Sequence, residues 1–303
     1  MSGRSEELFE LLDRGGVVLG DGAMGTLLQT RGIEPGGAAE LWNVDHADTI
    51  TAVHTEYAEA GARLVTTNTF GGTSARLALH GLEDRVRELN LAGARIAREV
   101  ADRFDGWVLG DVGPSGELLA PIGVIEPDEV KAMFAEQIAA LAEGGADVIL
   151  VETMSDLAEV EAAVGAAAEV APDLPVAATL TFDTHGHTMM GVSPERAAEA
   201  LASLGARIVG GNCGNGPHEI GPVMTQMAQC RPSGVHLLAQ SNAGMPQLHG
   251  SEFHYDGTPE VMAEYAVQMR ELGVGVIGAC CGSTPAHVAA MRAALDLAPT
   301  GSS

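Results

Sequence analysis

The sequence has few aromatic residues, a single lysine and no long apolar segment. Aromatic residues make up only 4% of the 303 residues, so the core must be built mainly from the aliphatic part of the 46% hydrophobic fraction. No apolar run reaches the roughly 18 uncharged residues that a membrane-spanning helix needs. The first residues also lack the apolar run of a signal peptide. We therefore expect a cytoplasmic protein that does not bind membranes.

The balance of charge is strongly acidic. Sixteen basic residues accompany 41 acidic ones, and the formal net charge is -25. Contacts to phosphate groups require clustered Lys and Arg, and Lys131 is the only lysine. Nucleic acid is therefore not an expected partner, and an anionic membrane surface is disfavoured for the same reason. The oligomeric state stays open, and the sequence is compatible with a homo-oligomer.

Eight short apolar runs recur along the chain, and amphipathic helical patterns lie between them. The runs cover residues 17–23, 63–69, 107–113, 147–153, 176–182, 208–213, 236–242 and 274–281. Eight such units predict an α/β fold, a single-domain (β/α)8 TIM barrel, which routinely has this length. We predict an N-terminal helix in residues 1–16 that packs on the barrel floor, the barrel itself over 17–297, and a flexible tail over 298–303.

Polar residues gather where the predicted strands end. In (β/α)8 barrels the chemistry takes place at the carboxyl ends of the strands. The residues at these ends are Asp21, Asn68, Asp111, Glu152, Thr181, Phe182, Asn212, Cys213, Asn242, Cys280 and Cys281. Their shared position predicts an active site on this rim.

Three of the four cysteines lie at two of these strand ends. Cys213 ends the sixth predicted strand, and Cys280 and Cys281 end the eighth. In a reducing compartment, adjacent cysteines are more often metal-binding or catalytic than disulfide-bonded. Three protein ligands with an open fourth position are typical of catalytic zinc, so we predict a Zn²⁺ site. The alternative is that the three residues are small buried apolar side chains. Cys230 lies at a helix end and receives no role.

Two carboxylates and three amides on the rim are candidate substrate-binding residues. Asp21 and Glu152 can hold a substrate ammonium, or one of them can act as a general base. The alternative for both is that they cap the next helix or pair with a nearby arginine. Asn68, Asn212 and Asn242 can orient a ligand, although asparagine at a strand-to-helix turn often serves the turn alone.

Six segments together resemble the homocysteine S-methyltransferase family. They are G-D-G-A-M-G-T (20–26), T-N-T-F-G-G-T (67–73), G-D-V-G-P-S-G (110–116), V-E-T-M-S-D (151–156), G-G-N-C-G-N-G-P (210–217) and G-A-C-C-G-S-T-P (278–285). The resemblance covers nearly the whole chain. D-G-A-M-G-T and L-W-N-V-D are most similar to the homocysteine-binding module of cobalamin-dependent methionine synthase.

This resemblance implies both a metal site and a reaction. It implies that Cys213, Cys280 and Cys281 bind zinc and that the sulfur of homocysteine takes the open position. It also implies that Asp21 and Glu152 hold the amino group of homocysteine. Coordination to zinc deprotonates a thiol, and the resulting thiolate can attack an electrophilic methyl group. The implied reaction is therefore methyl transfer to homocysteine, which forms methionine.

The motifs do not identify the methyl donor. The sequence ends where the folate, cobalamin and reactivation modules of methionine synthase would begin. The resemblance therefore implies a donor from outside, namely a methylcorrinoid protein, a methyltetrahydrofolate system or a small molecule. Two alternatives stay open at this point. One is a corrinoid-linked demethylase acting on a methylthio or other methylated compound, and the other is a non-catalytic subunit that binds zinc or thiols.

Overall fold

Eight parallel strands form the centre of the molecule. The computed structural model describes residues 3–249 and 252–297. The strands are β1 (Val18–Leu19), β2 (Leu64–Thr66), β3 (Trp107–Val112), β4 (Val148–Met154), β5 (Val176–Leu180), β6 (Ile208–Cys213), β7 (His236–Ser241) and β10 (Val276–Ala279). Their order is β1-β10-β7-β6-β5-β4-β3-β2, and a parallel bridge between Gly20 and Leu64 joins the two remaining edges. The predicted (β/α)8 barrel is confirmed, and each predicted apolar run overlaps one of its strands.

Helices lie between the strands along the chain. They are α1 (Gly3–Asp13), α2 (Met24–Thr30), α3 (Trp42–Asp45), α4 (Ala47–Ala60), α5 (Ser74–Ala78), α6 (Val86–Arg103), α7 (Pro127–Glu143), α8 (Leu157–Val170), α9 (Pro194–Ser203), α10 (Pro217–Gln229), α11 (Pro259–Glu271) and α12 (Pro285–Ala294). Short 3₁₀ helices cover Ala39–Leu41 and Glu83–Arg85. Five helices begin with proline, whose missing N–H is no loss in the first turn. None of the described helices is both long and apolar enough to cross a membrane.

The first helix lies at the amino-terminal end of the barrel. Leu8, Phe9 and Leu12 of α1 belong to the same buried cluster as the strand residues Leu64 and Leu109. Burial of such side chains stabilises the fold by about 1.5–3 kcal/mol each. The limits drawn from the sequence at residues 1–16 and 17–297 stay predictions. The predicted tail, 298–303, lies outside the described residues.

The barrel interior changes from apolar to polar towards the carboxyl ends of the strands. Alternate residues of a strand face the same side. Leu109 and Leu150 lie in the buried interior cluster, and the residues two positions further on are Asp111 and Glu152. The apolar residues of the pattern fill the amino-terminal half of the barrel interior, and the polar residues line its carboxyl-terminal end.

An antiparallel hairpin follows the seventh barrel strand. It consists of β8 (Pro246–His249) and β9 (Glu252–Tyr255). The apolar runs of the sequence do not predict this hairpin, because its strands are short and do not belong to the repeating barrel pattern. Its second strand brings Tyr255 to the polar end of the barrel, as described below.

Candidate metal and substrate site

A cavity of about 380 Å³ opens at the carboxyl ends of the barrel strands. The predicted site residues that line it are Asp21, Asn68, Glu152, Cys213, Cys280 and Cys281. Asn212 and Asn242 do not line this cavity, although both are buried beside it. Barrel closure therefore brings most of the candidate residues to one space.

The three rim cysteines form a compact cluster. The Sγ atoms of Cys213, Cys280 and Cys281 all lie within 4.8 Å of one another, and those of Cys213 and Cys280 are 2.6 Å apart. This is the one group of metal-ligating side chains of this kind among the residues that the structure describes. Three soft sulfur ligands that border a cavity fit a thiolate metal site with one open position. Cys230 is not part of this group, and its thiol donates to the carbonyl oxygen of Gln226 instead.

The backbone holds the cysteines in place. The N–H of Cys280 donates to the carbonyl oxygen of Ser241 at 2.7 Å, and the N–H of Ala243 donates to that of Cys281 at 2.9 Å. Cys213 has a φ of 58°, a left-handed conformation that non-glycine residues rarely adopt. Such conformations concentrate at functional sites, where the surrounding structure maintains them.

The thiols of the cluster do not ionise alike. Hydrogen bonds from Cys213 and Cys280 lower the pKa of Cys281 to about 3. The hydrogen bonds of Cys280 with Cys213 and Cys281, together with burial, raise the pKa of Cys280 well above its ordinary value. The arrangement therefore favours one thiolate at Cys281, hydrogen-bonded by two thiols. The thiolate is the form of cysteine that binds metal.

Tyr255 contacts the cluster from the hairpin. Its hydroxyl donates a hydrogen bond to Cys281, which contributes to the lowered pKa of that thiol. Its ring lies against Gly282, where an added Cβ would be 2.1 Å from Cγ of Tyr255. Gly282 also has a φ of +80°, so glycine is required there for two reasons. The sequence patterns offered no signal for Tyr255, because its partner lies on a different strand.

Asp21 is oriented by the neighbouring strand β2. The N–H and Oγ1 of Thr66 donate to its two carboxylate oxygens, both at 2.7 Å. Burial nevertheless raises the pKa of Asp21 to about 7, against the effect of these hydrogen bonds. The alternative in which Asp21 caps the next helix is wrong, because Ala23 holds the N-cap position of α2 and no side chain caps it.

Glu152 is held by Asn212. The Nδ2 of Asn212 lies 3.3 Å from Oε2 of Glu152 and donates to Oγ1 of Thr153 at 2.7 Å. The Oδ1 of Asn212 accepts from the N–H of Thr153 and from Oγ1 of Thr179. Burial, followed by the proximity of Cys281 and Asp21, raises the pKa of Glu152 to about 8. Glu152 does not cap the next helix, because Asp156 caps α8.

The other two asparagines bind backbone groups. Nδ2 of Asn68 donates to the carbonyl oxygen of Ala39 and to Oδ1 of Asn43, at 2.7 and 2.9 Å. Nδ2 of Asn242 donates to the carbonyl oxygen of Gly214, directly after Cys213. These contacts hold the loops that form the cavity, and they support the interpretation of both residues as turn-stabilising. A role in binding substrate stays a prediction for them.

We expect the metal-free, ligand-free protein to lose stability as the pH rises from about 5 to about 7. The pKa of Asp21 is 3.8 ordinarily and about 7 in the folded chain, so the folded state keeps a proton that the unfolded state has released. The free energy of unfolding therefore falls by about 1.4 kcal/mol per pH unit for this group. Urea unfolding, measured at several pH values across this range, should show that the free energy of unfolding falls less with pH in Asp21→Asn than in the wild type. An equal fall with pH in both proteins would contradict the assignment.

Comparisons with known proteins agree with this geometry. A family model described as homocysteine S-methyltransferase matches residues 18–295. Methionine synthase of Mycobacterium tuberculosis (strain ATCC 25618 / H37Rv) is 36% identical over 297 residues, which cover 92% of this chain and 24% of that protein. Methionine synthase of Mycobacterium leprae (strain TN) is 35% identical with the same coverage. The chain thus spans about a quarter of the length of these curated relatives.

Solved structures show the same barrel. The homocysteine methyltransferase MmuM from Escherichia coli, in its oxidized form, has a TM-score of 0.77 and 26% identity, covering 93% of this chain and 97% of that one. Its metallated form has the same TM-score and identity and covers 94% and 98%.

Proposed function

The chain belongs to the homocysteine S-methyltransferase family, and we propose that it transfers a methyl group to the thiol of homocysteine with the help of a zinc ion held by Cys213, Cys280 and Cys281. One observation carries the proposal. Three sulfur atoms within 4.8 Å of one another border the same cavity as Asp21 and Glu152. A substrate with a thiol and an ammonium group matches this site, because the thiol suits a metal held by the cysteines and the ammonium suits the two carboxylates.

The donor set of the cluster supports zinc. When bound there, zinc would deprotonate the homocysteine thiol and keep its sulfur nucleophilic. The protein itself supplies three ligands that are held in position. Cys281 is the thiol whose pKa is lowered, so it ionises first. The main chain of Cys280 and Cys281 is hydrogen-bonded to strand β7 and to the loop after it. The existence of a metallated form of the related MmuM is consistent with this assignment.

The two carboxylates orient the substrate. Asp21 and Glu152 are buried at the cavity wall, and neither belongs to an ion pair recorded among the described residues. A substrate ammonium would provide a cationic partner and favour the ionised form of both groups. Binding at this point directs the rest of a short amino acid towards the cysteines. Such positioning of two reactants lowers the barrier by removing the entropy cost of bringing them together.

We propose that the methyl group comes from a methylcorrinoid, from methyltetrahydrofolate or from a small methyl donor. We also propose a cytoplasmic location, because all four cysteines are free and a reducing compartment keeps thiols available for a metal.

A donor screen tests the function. Zinc-loaded protein is incubated with L-homocysteine and, in separate reactions, methylcobalamin, methyltetrahydrofolate, betaine or S-methyl-L-methionine, and methionine is measured by mass spectrometry. We expect methionine with at least one donor, loss of activity after chelation, and recovery after zinc is added back. A protein that contains zinc but forms no methionine with any donor would contradict the proposal.

A further inference from the structure

Two buried acceptors line the cavity without a partner. Oδ1 of Asp111 and Oε1 of Gln240 have no hydrogen-bond partner among the described residues. Both residues line the cavity, and their exposed fractions are only 4% and 5%. Most buried polar atoms in folded proteins are hydrogen-bonded, so an unpaired acceptor facing a cavity indicates a missing donor.

The backbone of Asp111 is held firmly in the barrel wall. Its N–H donates to Oγ1 of Thr67 at 2.9 Å, and its carbonyl oxygen accepts from Oγ1 of Thr69 at 2.8 Å and from Nε2 of Gln137 at 3.2 Å. Asp111 also lies two positions after Leu109, which is part of the barrel interior. The carboxyl group therefore faces the barrel interior. It forms no recorded ion pair with a basic residue among the described residues.

The charged groups that raise the pKa of Asp111 are acidic. Burial is the first cause that raises its pKa well above the ordinary value, followed by the negative charges of Glu152, Asp21 and Glu40. None of the ion pairs recorded among the described residues includes Asp111. A buried acid in a purely structural network has a hydrogen-bond donor beside it. Oδ1 of Asp111 instead borders the cavity, although Arg76 is also part of the cavity wall.

We propose that Asp111 is the third carboxylate that binds the substrate ammonium, together with Asp21 and Glu152. An ammonium group has three N–H donors and no acceptor, so it is best satisfied by three acceptors. Asp21 follows strand β1, and strands β3 and β4 carry Asp111 and Glu152. Thr66 orients Asp21 and Asn212 orients Glu152, whereas Oδ1 of Asp111 has no hydrogen-bond partner among the described residues. Asp111 would thereby select amino-acid thiols over thiols that lack an amino group. This inference rests on the proposed function.

The test compares two ligands and three proteins. L-homocysteine and 4-mercaptobutanoate, which lacks the amino group, are titrated by calorimetry into the zinc-loaded wild type, Asp111→Asn and Glu40→Gln. We expect Asp111→Asn to weaken homocysteine binding by about 10- to 100-fold and 4-mercaptobutanoate binding by less than about threefold. Glu40 also lines the cavity, but its Oε1 already accepts from the N–H of Gly71 at 2.7 Å. The Glu40 variant should bind homocysteine within about threefold of the wild type.

Thermal unfolding of the ligand-free proteins separates binding from structural support. Asp111→Asn should melt at the same temperature as the wild type or higher, because it removes a buried ionisable group that has no partner. A lower melting temperature, or equal weakening for both ligands, would overturn the inference, as would unchanged homocysteine affinity. If the wild type binds homocysteine and forms methionine but Asp111→Asn behaves identically, only this inference fails. If the wild type does neither, the proposed function itself fails.

Discussion

Replacement of Cys280 by serine is expected to lower bound zinc to about a tenth of an ion per chain or less and to reduce methyl transfer roughly a thousandfold. Cys280 belongs to the three-cysteine cluster, and its Sγ lies 2.6 Å from that of Cys213. A serine hydroxyl is a much poorer ligand for zinc than a thiolate. The fold should survive, because the hydrogen bond from the N–H of residue 280 to Ser241 does not involve the side chain.

Cys230→Ser is the matched control for this experiment. Cys230 lies at the end of α10, and its thiol donates to Gln226 rather than facing the cavity. Metal analysis after dialysis, circular dichroism and the methionine assay are carried out on both variants. The control should keep full zinc content and activity. Full zinc occupancy in Cys280→Ser would remove Cys280 from the ligand set.

Replacement of Glu152 by glutamine is expected to raise the calorimetric dissociation constant for L-homocysteine by about 10- to 100-fold. The change keeps the size of the side chain and removes its charge. A hydrogen bond to a charged group contributes about 1.5–3 kcal/mol, and a neutral amide loses most of this with an ammonium. Asn212 can still contact the side chain, so its position should be preserved.

Glu159→Gln applies the same substitution outside the cavity. Oε1 of Glu159 accepts from the N–H and Oγ of Ser115, and an amide oxygen can accept both. Homocysteine affinity should therefore match that of the wild type. Zinc content should stay full in both variants, which separates substrate binding from metal binding. If Glu152→Gln binds homocysteine as tightly as the wild type, Glu152 does not hold the ammonium.

The barrel and the placement of the three cysteines on one rim could be predicted, because both depend on local patterns. An apolar run followed by Gly-rich or polar residues marks the carboxyl end of a strand, so Cys213, Cys280 and Cys281 could be assigned to one rim. The supporting contacts could not be predicted in this way. Thr66 and Asp21 are 45 residues apart, and Asn212 and Glu152 are 60 apart. These pairs meet only because the sheet closes.

The amides illustrate the limit most clearly. Asn68, Asn212 and Asn242 look equivalent at the ends of predicted strands. In the structure, however, Asn212 contacts Glu152, a candidate for substrate binding. The amide nitrogens of Asn68 and Asn242 donate instead to backbone carbonyls. That of Asn68 also donates to Asn43. The side-chain type specifies which hydrogen bonds an asparagine can form, but the neighbouring strands determine which partners lie within reach.

The sequence by itself determined the eight strands, the rim on which the polar residues gather and the soft ligands available for a metal, because these follow from the order of apolar and polar residues along the chain. Only the tertiary structure decided that three sulfur atoms meet, that Tyr255 reaches Cys281, and that Oδ1 of Asp111, at the cavity wall, has no hydrogen-bond partner among the described residues. Proximity and burial arise when the barrel closes and excludes water. They raise the pKa of a buried carboxylate in a way that its position in the sequence does not reveal.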